Sequence, residues 1–356
     1  MALPNNIDDR VIASGKSGAV RHPAVTLETK RQHAESLATG GLALLRAGQY
    51  EEALRLFHQA LVNNPALESA WYRKGNCLQY LGRYQKAITS YDRALAINPR
   101  NSSAWNNRGI ALVGLGRVDA GLQCFTQAVY SEVRELRAWY NRAISLHSLG
   151  RFPEAIECYA RVLALEAQDC EAWLEKGNAL HHLRRFEEAV ICYDRALGLD
   201  PQETRAWVNR GVSLHGLGRF EDAVASYNRA LKLDAGNKHG WYNKGLSLHL
   251  RGQFQGAIEC YDYALELDPQ DAKVWTNKGA SLQCQGRFAK AIACYDQALK
   301  IEAQSSAARH NRANSLRALC RSKEALCSPN RDPQLDPANR WAEYAKTTNG
   351  ARPASG

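Results

Sequence analysis

Three sets of side chains able to do chemistry recur at multiples of 34 residues. Asn107, Asn141, Asn209, Asn243, Asn277 and Asn311 form the first, with Thr39, Arg73 and Glu175 in the remaining places. An amide both donates and accepts hydrogen bonds. A ladder of amides can grip the backbone of an extended peptide without demanding a sequence; the same residues can also simply be solvated. His147, His181, His215 and His249 form the second set, with His182 beside them. Imidazole titrates near neutrality, so this column is either pH-sensitive or plain polar lining. The third set is basic: Arg108, Arg142, Lys176, Arg210, Lys244 and Lys278, flanked by Lys74 and Arg312. Its heads can track an acidic ligand. Alternatively its stems pack while the heads reach a carboxylate, with Asp92, Asp194, Asp262 and Asp296 as candidate partners.

Other chemistry finds no support. There is no His-Glu-x-x-His or Cys-x-x-Cys pair, and histidines one repeat apart are too far from each other to share an ion at about 2 Å. No metal and no cofactor are expected. Ala13-Ser14-Gly15-Lys16-Ser17 has the ending of a phosphate-binding loop, but Arg10 stands where the loop needs its first glycine. Cys124, Cys158, Cys192, Cys260 and Cys294 share one column beside an aromatic and read as small buried fillers. The same period separates them, so disulfides between them are not expected.

The elements that hold these columns follow from the same period. Trp71, Trp105, Trp139, Trp173, Trp207, Trp241 and Trp275 are 34 residues apart. A glycine (Ala143 once) follows four residues later and a leucine seven later. These are positions 4, 8 and 11 of a unit, one stripe of a first helix. Alanine, Phe/Tyr and alanine at positions 20, 24 and 27 make the stripe of a second. Between the stripes lies Gly-Arg-Phe/Tyr, as in Gly82-Arg83-Tyr84, and glycine suits the left-handed end of a helix. Pro65, Pro99, Pro201 and Pro269 close the second helix in half the units. Each unit is an antiparallel helical hairpin that cannot bury its apolar face alone, so neighbours must stack. The Trp column shares its stripe with Leu and Gly and reads as core. A Trp173→Ala truncation would cost about 3–5 kcal/mol if that indole is buried.

This pattern resembles the tetratricopeptide repeat family. Eight units fit without insertion over residues 34–305, about three quarters of the chain, and a degenerate ninth follows at 306–327. The resemblance implies an all-α, right-handed superhelical solenoid of antiparallel helix pairs. It further implies that positions 2, 5, 6, 9, 12 and 13 line a concave groove that takes extended peptide segments of other proteins. The amide column looks like the asparagine ladder in the superhelix of O-GlcNAc transferases. The family's carboxylate clamp for chaperone tails is matched at Asn76 and Asn107, but Tyr72, Arg137 and Asn141 break it, so no such clamp is expected.

Charge and ends complete the reading. The 356 residues carry +10, distributed as +2 over residues 1–33, +3 over 34–305 and +5 over 306–356. The near-neutral middle argues against a nucleic-acid groove. No apolar leader and no membrane-length apolar run occurs, so a reducing, cytoplasmic setting is expected. Residues 1–33 show no repeat phase and are expected to be mostly flexible. Pro329, Pro333 and Pro337 interrupt the tail at 328–356, where residues 338–346 are a candidate cap. The expected role is a protein-interaction scaffold without catalysis. The alternative is a substrate-recruiting subunit of a separate enzyme such as an O-linked glycosyltransferase, since neither end is long enough for a catalytic domain.

Overall fold

The computed structural model describes residues 26–319, and every element among them is an α-helix. The described residues divide into two compact units, split between Ser131 and Glu132. The first holds α1 (Leu27–Arg46), α2 (Tyr50–Asn63), α3 (Glu68–Tyr80), α4 (Tyr84–Ile97), α5 (Ser102–Gly114) and α6 (Val118–Ser131). The second holds α7 (Leu136–Ser148), α8 (Phe152–Leu165), α9 (Cys170–His182), α10 (Phe186–Leu199), α11 (Thr204–Gly216) and α12 (Phe220–Leu233). It continues with α13 (Lys238–Leu250), α14 (Phe254–Leu267), α15 (Ala272–Cys284), α16 (Phe288–Ile301) and α17 (Ser306–Ala318). Odd and even helices pair as hairpins. Within each unit every hairpin packs on the next in sequence order, and consecutive odd helices touch. Each unit is therefore an all-α solenoid.

The hairpin turn is built locally. After α3, Arg83 N–H reaches back to Leu78 O (2.8 Å) and Gly82 N–H to Gln79 O (2.9 Å). This pair of bonds closes the helix through one left-handed residue. Glycine fills that place at φ between +70° and +75° in seven hairpins. In the fifth repeat Arg184 takes it, at φ +60°.

Inside a hairpin the packing is steric. The aromatics at position 24, from Phe57 and Tyr91 through Tyr295, are fully buried. They lie on the glycine of position 8: a Cβ added at Gly211 would sit 2.5 Å from Tyr227 Cε1. Where Ala143 replaces this glycine, the ring of Tyr159 stands at 77° to Tyr140, against 48° for the Tyr242–Tyr261 pair.

Two expectations are corrected. The Trp column is not fully buried; every indole is partly exposed. Each Nε1–H instead donates to the carbonyl six residues earlier, from Trp71 to Pro65 (2.8 Å) to Trp275 to Pro269 (3.0 Å). The indole pins the turn joining one repeat to the next. Arg309, in the tryptophan place of the ninth repeat, reaches Gln304 O from its guanidinium (3.1 Å). The second correction is at the start, where the expected flexible segment 1–33 gives way to helix at Leu27. Thr26 Oγ1 accepts from Thr29 N–H as an N-cap, and Glu28 lies in the first turn. The expected second helix of the ninth repeat from Ala325, the irregular tail 328–356 and its candidate cap 338–346 lie outside the described residues.

Candidate functional site

Within each unit the odd helices bring the amide column to one face. Asn209 Nδ2 donates to Asn178 Oδ1 (2.8 Å), and Asn277 Nδ2 donates to Tyr242 OH (3.0 Å). In the first unit Asn107 Nδ2 donates to Asn76 Oδ1 (2.9 Å) and Tyr72 OH (3.2 Å). Each amide thus leans on the preceding repeat at position 5 or 9. For Asn209 and Asn277 this uses one of two amide hydrogens. The carboxamide oxygen and a second N–H stay available for a ligand. Asn141, Asn243 and Asn311 are partly buried on the same line.

The histidine column is tied to the following repeat. His181, His215 and His249 each hold a serine 32 residues on through Nδ1, at 2.8 Å: Ser213, Ser247 and Ser281. Ser247 and Ser281 donate their own hydroxyl hydrogens to the carbonyls of Asn243 (3.0 Å) and Asn277 (3.1 Å). The hydrogen in the His215 and His249 bonds must then sit on Nδ1, which makes both rings the Nδ1–H tautomer. Phe220 and Phe254 stand 5.3 Å from these rings, near edge-on. Burial pushes the His215 pKa down to about 4 and lowers those of His181 and His249, with His182 adding to the effect at His181. His147 differs because Ala179 replaces the serine. Its Nδ1 instead lies 3.7 Å from Glu175 Oε2. Burial lowers its pKa, Glu175 opposes that, and His182 reinforces it.

Around this exception the second unit opens a cleft of about 300 Å³. His147, Glu175, Asn178, His181, Asn209 and Val212 line it, together with Tyr193 and His182. The His182 ring stacks on Phe152 at 4.7 Å and 7°. Among the described residues no group of His, Cys, Asp or Glu has metal-holding geometry.

The basic column points elsewhere. Each of its members lies over the tryptophan three residues before it, from Lys244 at 5.0 Å to Arg210 at 5.9 Å, with Arg108 and Arg142 both at 5.7 Å and Lys176 and Lys278 between. Arg108 and Arg210 bond Asp92 and Asp194 of the preceding repeat at 2.7 Å, Arg312 bonds Asp296 at 2.5 Å, and Lys278 pairs with Asp262. Arg108 also donates to Cys124 Sγ (2.9 Å), and Arg210 to Ser226 Oγ (2.7 Å). These heads join repeats and do not accompany the amide row.

Sequence reasoning missed the partners that orient the amides, Asn178 and Tyr242, and the serines at position 10. The serine signal was present: Ser145, Ser213, Ser247, Ser281 and Ser315 repeat at multiples of 34.

Sequence models described as tetratricopeptide repeat match residues 33–62, 69–101, 106–169, 140–204, 191–238, 208–272 and 272–304. The chain belongs to the tetratricopeptide repeat family. Tetratricopeptide chains are protein-interaction scaffolds. No curated protein matches this one significantly. Solved structures similar to it include PilF of Pseudomonas aeruginosa, 20% identical, covering 59% of this chain and 96% of that one at a TM-score of 0.50. YrrB, a TPR protein with an unusual peptide-binding site, is 22% identical over 53% of this chain and 97% of its own, at 0.47. The APC/C hetero-tetramer Cut9-Hcn1 is 18% identical over 75% and 52%, at 0.48. These likenesses concern the fold of the tetratricopeptide array. No helix among the described residues is long and apolar enough to cross a membrane.

Proposed function

We propose that the tetratricopeptide array holds an extended segment of a partner protein along the amide row of the second unit. The observation that carries this reading is the half-used amide: Asn209 and Asn277 are fixed from one side and keep a donor and an acceptor for a peptide backbone. The row runs beside the cleft at Glu175, which supplies depth for a side chain of the bound segment. Backbone recognition by amides confers affinity with little sequence demand, as a scaffold serving several partners requires. The basic column is left out of the contact surface, because all six heads lie over tryptophans and those of Arg108, Arg210 and Lys278 also hold aspartates.

The test uses peptides selected on the full chain from a random display library. Replacing Asn209, Asn243 and Asn277 together by Ala is expected to weaken the selected peptides about tenfold or more, from several lost hydrogen bonds of about 1 kcal/mol each. Far-UV circular dichroism should stay unchanged. Unaltered affinity in a folded triple variant overturns the reading.

A further inference from the structure

The cleft between α2 and α4, on the outer side of α3, differs from its counterparts in other repeats. It measures about 540 Å³, with Leu54, Trp71 and Leu78 supplying apolar surface. Its other lining residues include His58, Lys74, Arg83, Lys86 and Arg93. At most other junctions an acid at one or both of two positions offsets such a wall. Position 19 is Glu154, Glu188 or Asp222 in the fourth to sixth repeats. Each pairs with the arginine three residues earlier, at 2.7, 2.6 and 2.6 Å. Position 25 is an aspartate in the second, fifth, seventh and eighth repeats, where it holds the cation of the next repeat, as Asp194 holds Arg210. Here position 19 is Lys86 and position 25 is His58. Glu51 offsets Arg83 at 2.7 Å. Lys74, Lys86 and Arg93 have no carboxylate within ion-pair distance among the described residues. Lys74 Nζ lies 4.9 Å from the Trp71 ring centroid, and partial burial lowers its pKa. An unpaired, partly desolvated ammonium gains from any anion that reaches it.

We propose that this cleft binds a small organic phosphate, its dianionic group held among Lys74, Lys86 and Arg93 and its apolar or aromatic body laid on Leu54, Trp71 and Leu78. Three cations without carboxylate partners call for more charge than one carboxylate carries. The volume lies in the range of small-molecule sites. The apolar surface gives a bare inorganic ion nothing to bury. The site is separate from the amide row and does not depend on it.

The test labels the full chain with ¹⁵N at tryptophan and follows the indole N–H resonances, with Trp71 assigned through Trp71→Phe. Phenyl phosphate is expected to move the Trp71 resonance with a dissociation constant of about 1 mM. Inorganic phosphate should bind several-fold more weakly, and phenol should leave the resonance in place. In Lys86→Glu/Arg93→Glu, two exposed charges are reversed and phenyl phosphate should weaken about tenfold or more. Arg229→Glu, at the position of Arg93 in the sixth repeat, should change nothing. A Trp71 resonance unmoved by phenyl phosphate overturns the proposal, as does equal movement of all indoles or unaltered binding in the double variant. Inorganic phosphate binding as well as phenyl phosphate overturns the assignment of an apolar body.

Discussion

Within a hairpin and between hairpins, this protein is held by different kinds of contact. Inside, a ring lies on a glycine with no room for a methyl group, as Tyr227 does on Gly211. Between repeats, apolar packing such as Val190 with Leu214 and Tyr227 is supplemented by polar joints: the Trp207 indole to Pro201 O at 3.0 Å, His215 to Ser247 at 2.8 Å and Arg210 to Asp194 at 2.7 Å. The hairpin is therefore fixed by shape, while the stack combines a shared apolar core with a set of directed bonds. Shape fails steeply when one atom is wrong. Each directed bond fails singly and modestly.

The contrast can be broken or sharpened in four ways. The largest effect should come from inside the hairpin, where Tyr227→Ala should lower unfolding free energy by about 3–5 kcal/mol in urea titrations. At the junction, Trp207→Ala should cost about 2 kcal/mol, since the indole is partly exposed and loses area and one hydrogen bond. A cost equal to that of Tyr227→Ala would remove the distinction. Acid should act on the junction next. Unfolded histidine titrates near 6.5 and folded His215 near 4, so between these values the unfolded chain binds more protons. Stability is then full above about 6.5, falls as pH is lowered through the window, and the His215 contribution is lost below about 4. Urea midpoints measured across it should slope less in His215→Gln. The smallest effect should be a gain: Arg184→Gly relieves the left-handed strain at φ +60° and should stabilise by up to about 1 kcal/mol.

The hairpin was legible in the sequence and the junction much less so. Spacing of four and three residues within one helix places Trp207, Gly211 and Leu214 on a stripe, which is all that helical periodicity can report. It carries no measure of depth, so Trp207 read as core when it lies at the margin of the packed face. The serine opposite His215 is 32 residues away on another helix, and pairing across a stack depends on the offset between repeats, which the period alone does not supply. The two readings of the basic column could be separated only once Arg210 was seen over Trp207 and against Asp194. Glu175 was visible as the acid in an amide column, but its cleft required the rings of Phe152 and His182 to be brought together.

The fixed offsets of the polar joints bear on how such a gene changes length. The indole of each repeat reaches a carbonyl six residues back, and His181, His215 and His249 reach a serine 32 residues ahead. Recombination between two copies at the same repeat position removes or adds 34 residues and leaves these offsets as they were. The new neighbours meet with donors and acceptors already opposed. The array can be shortened or lengthened by whole units in one genetic event, and the product inherits working joints before selection has acted on it.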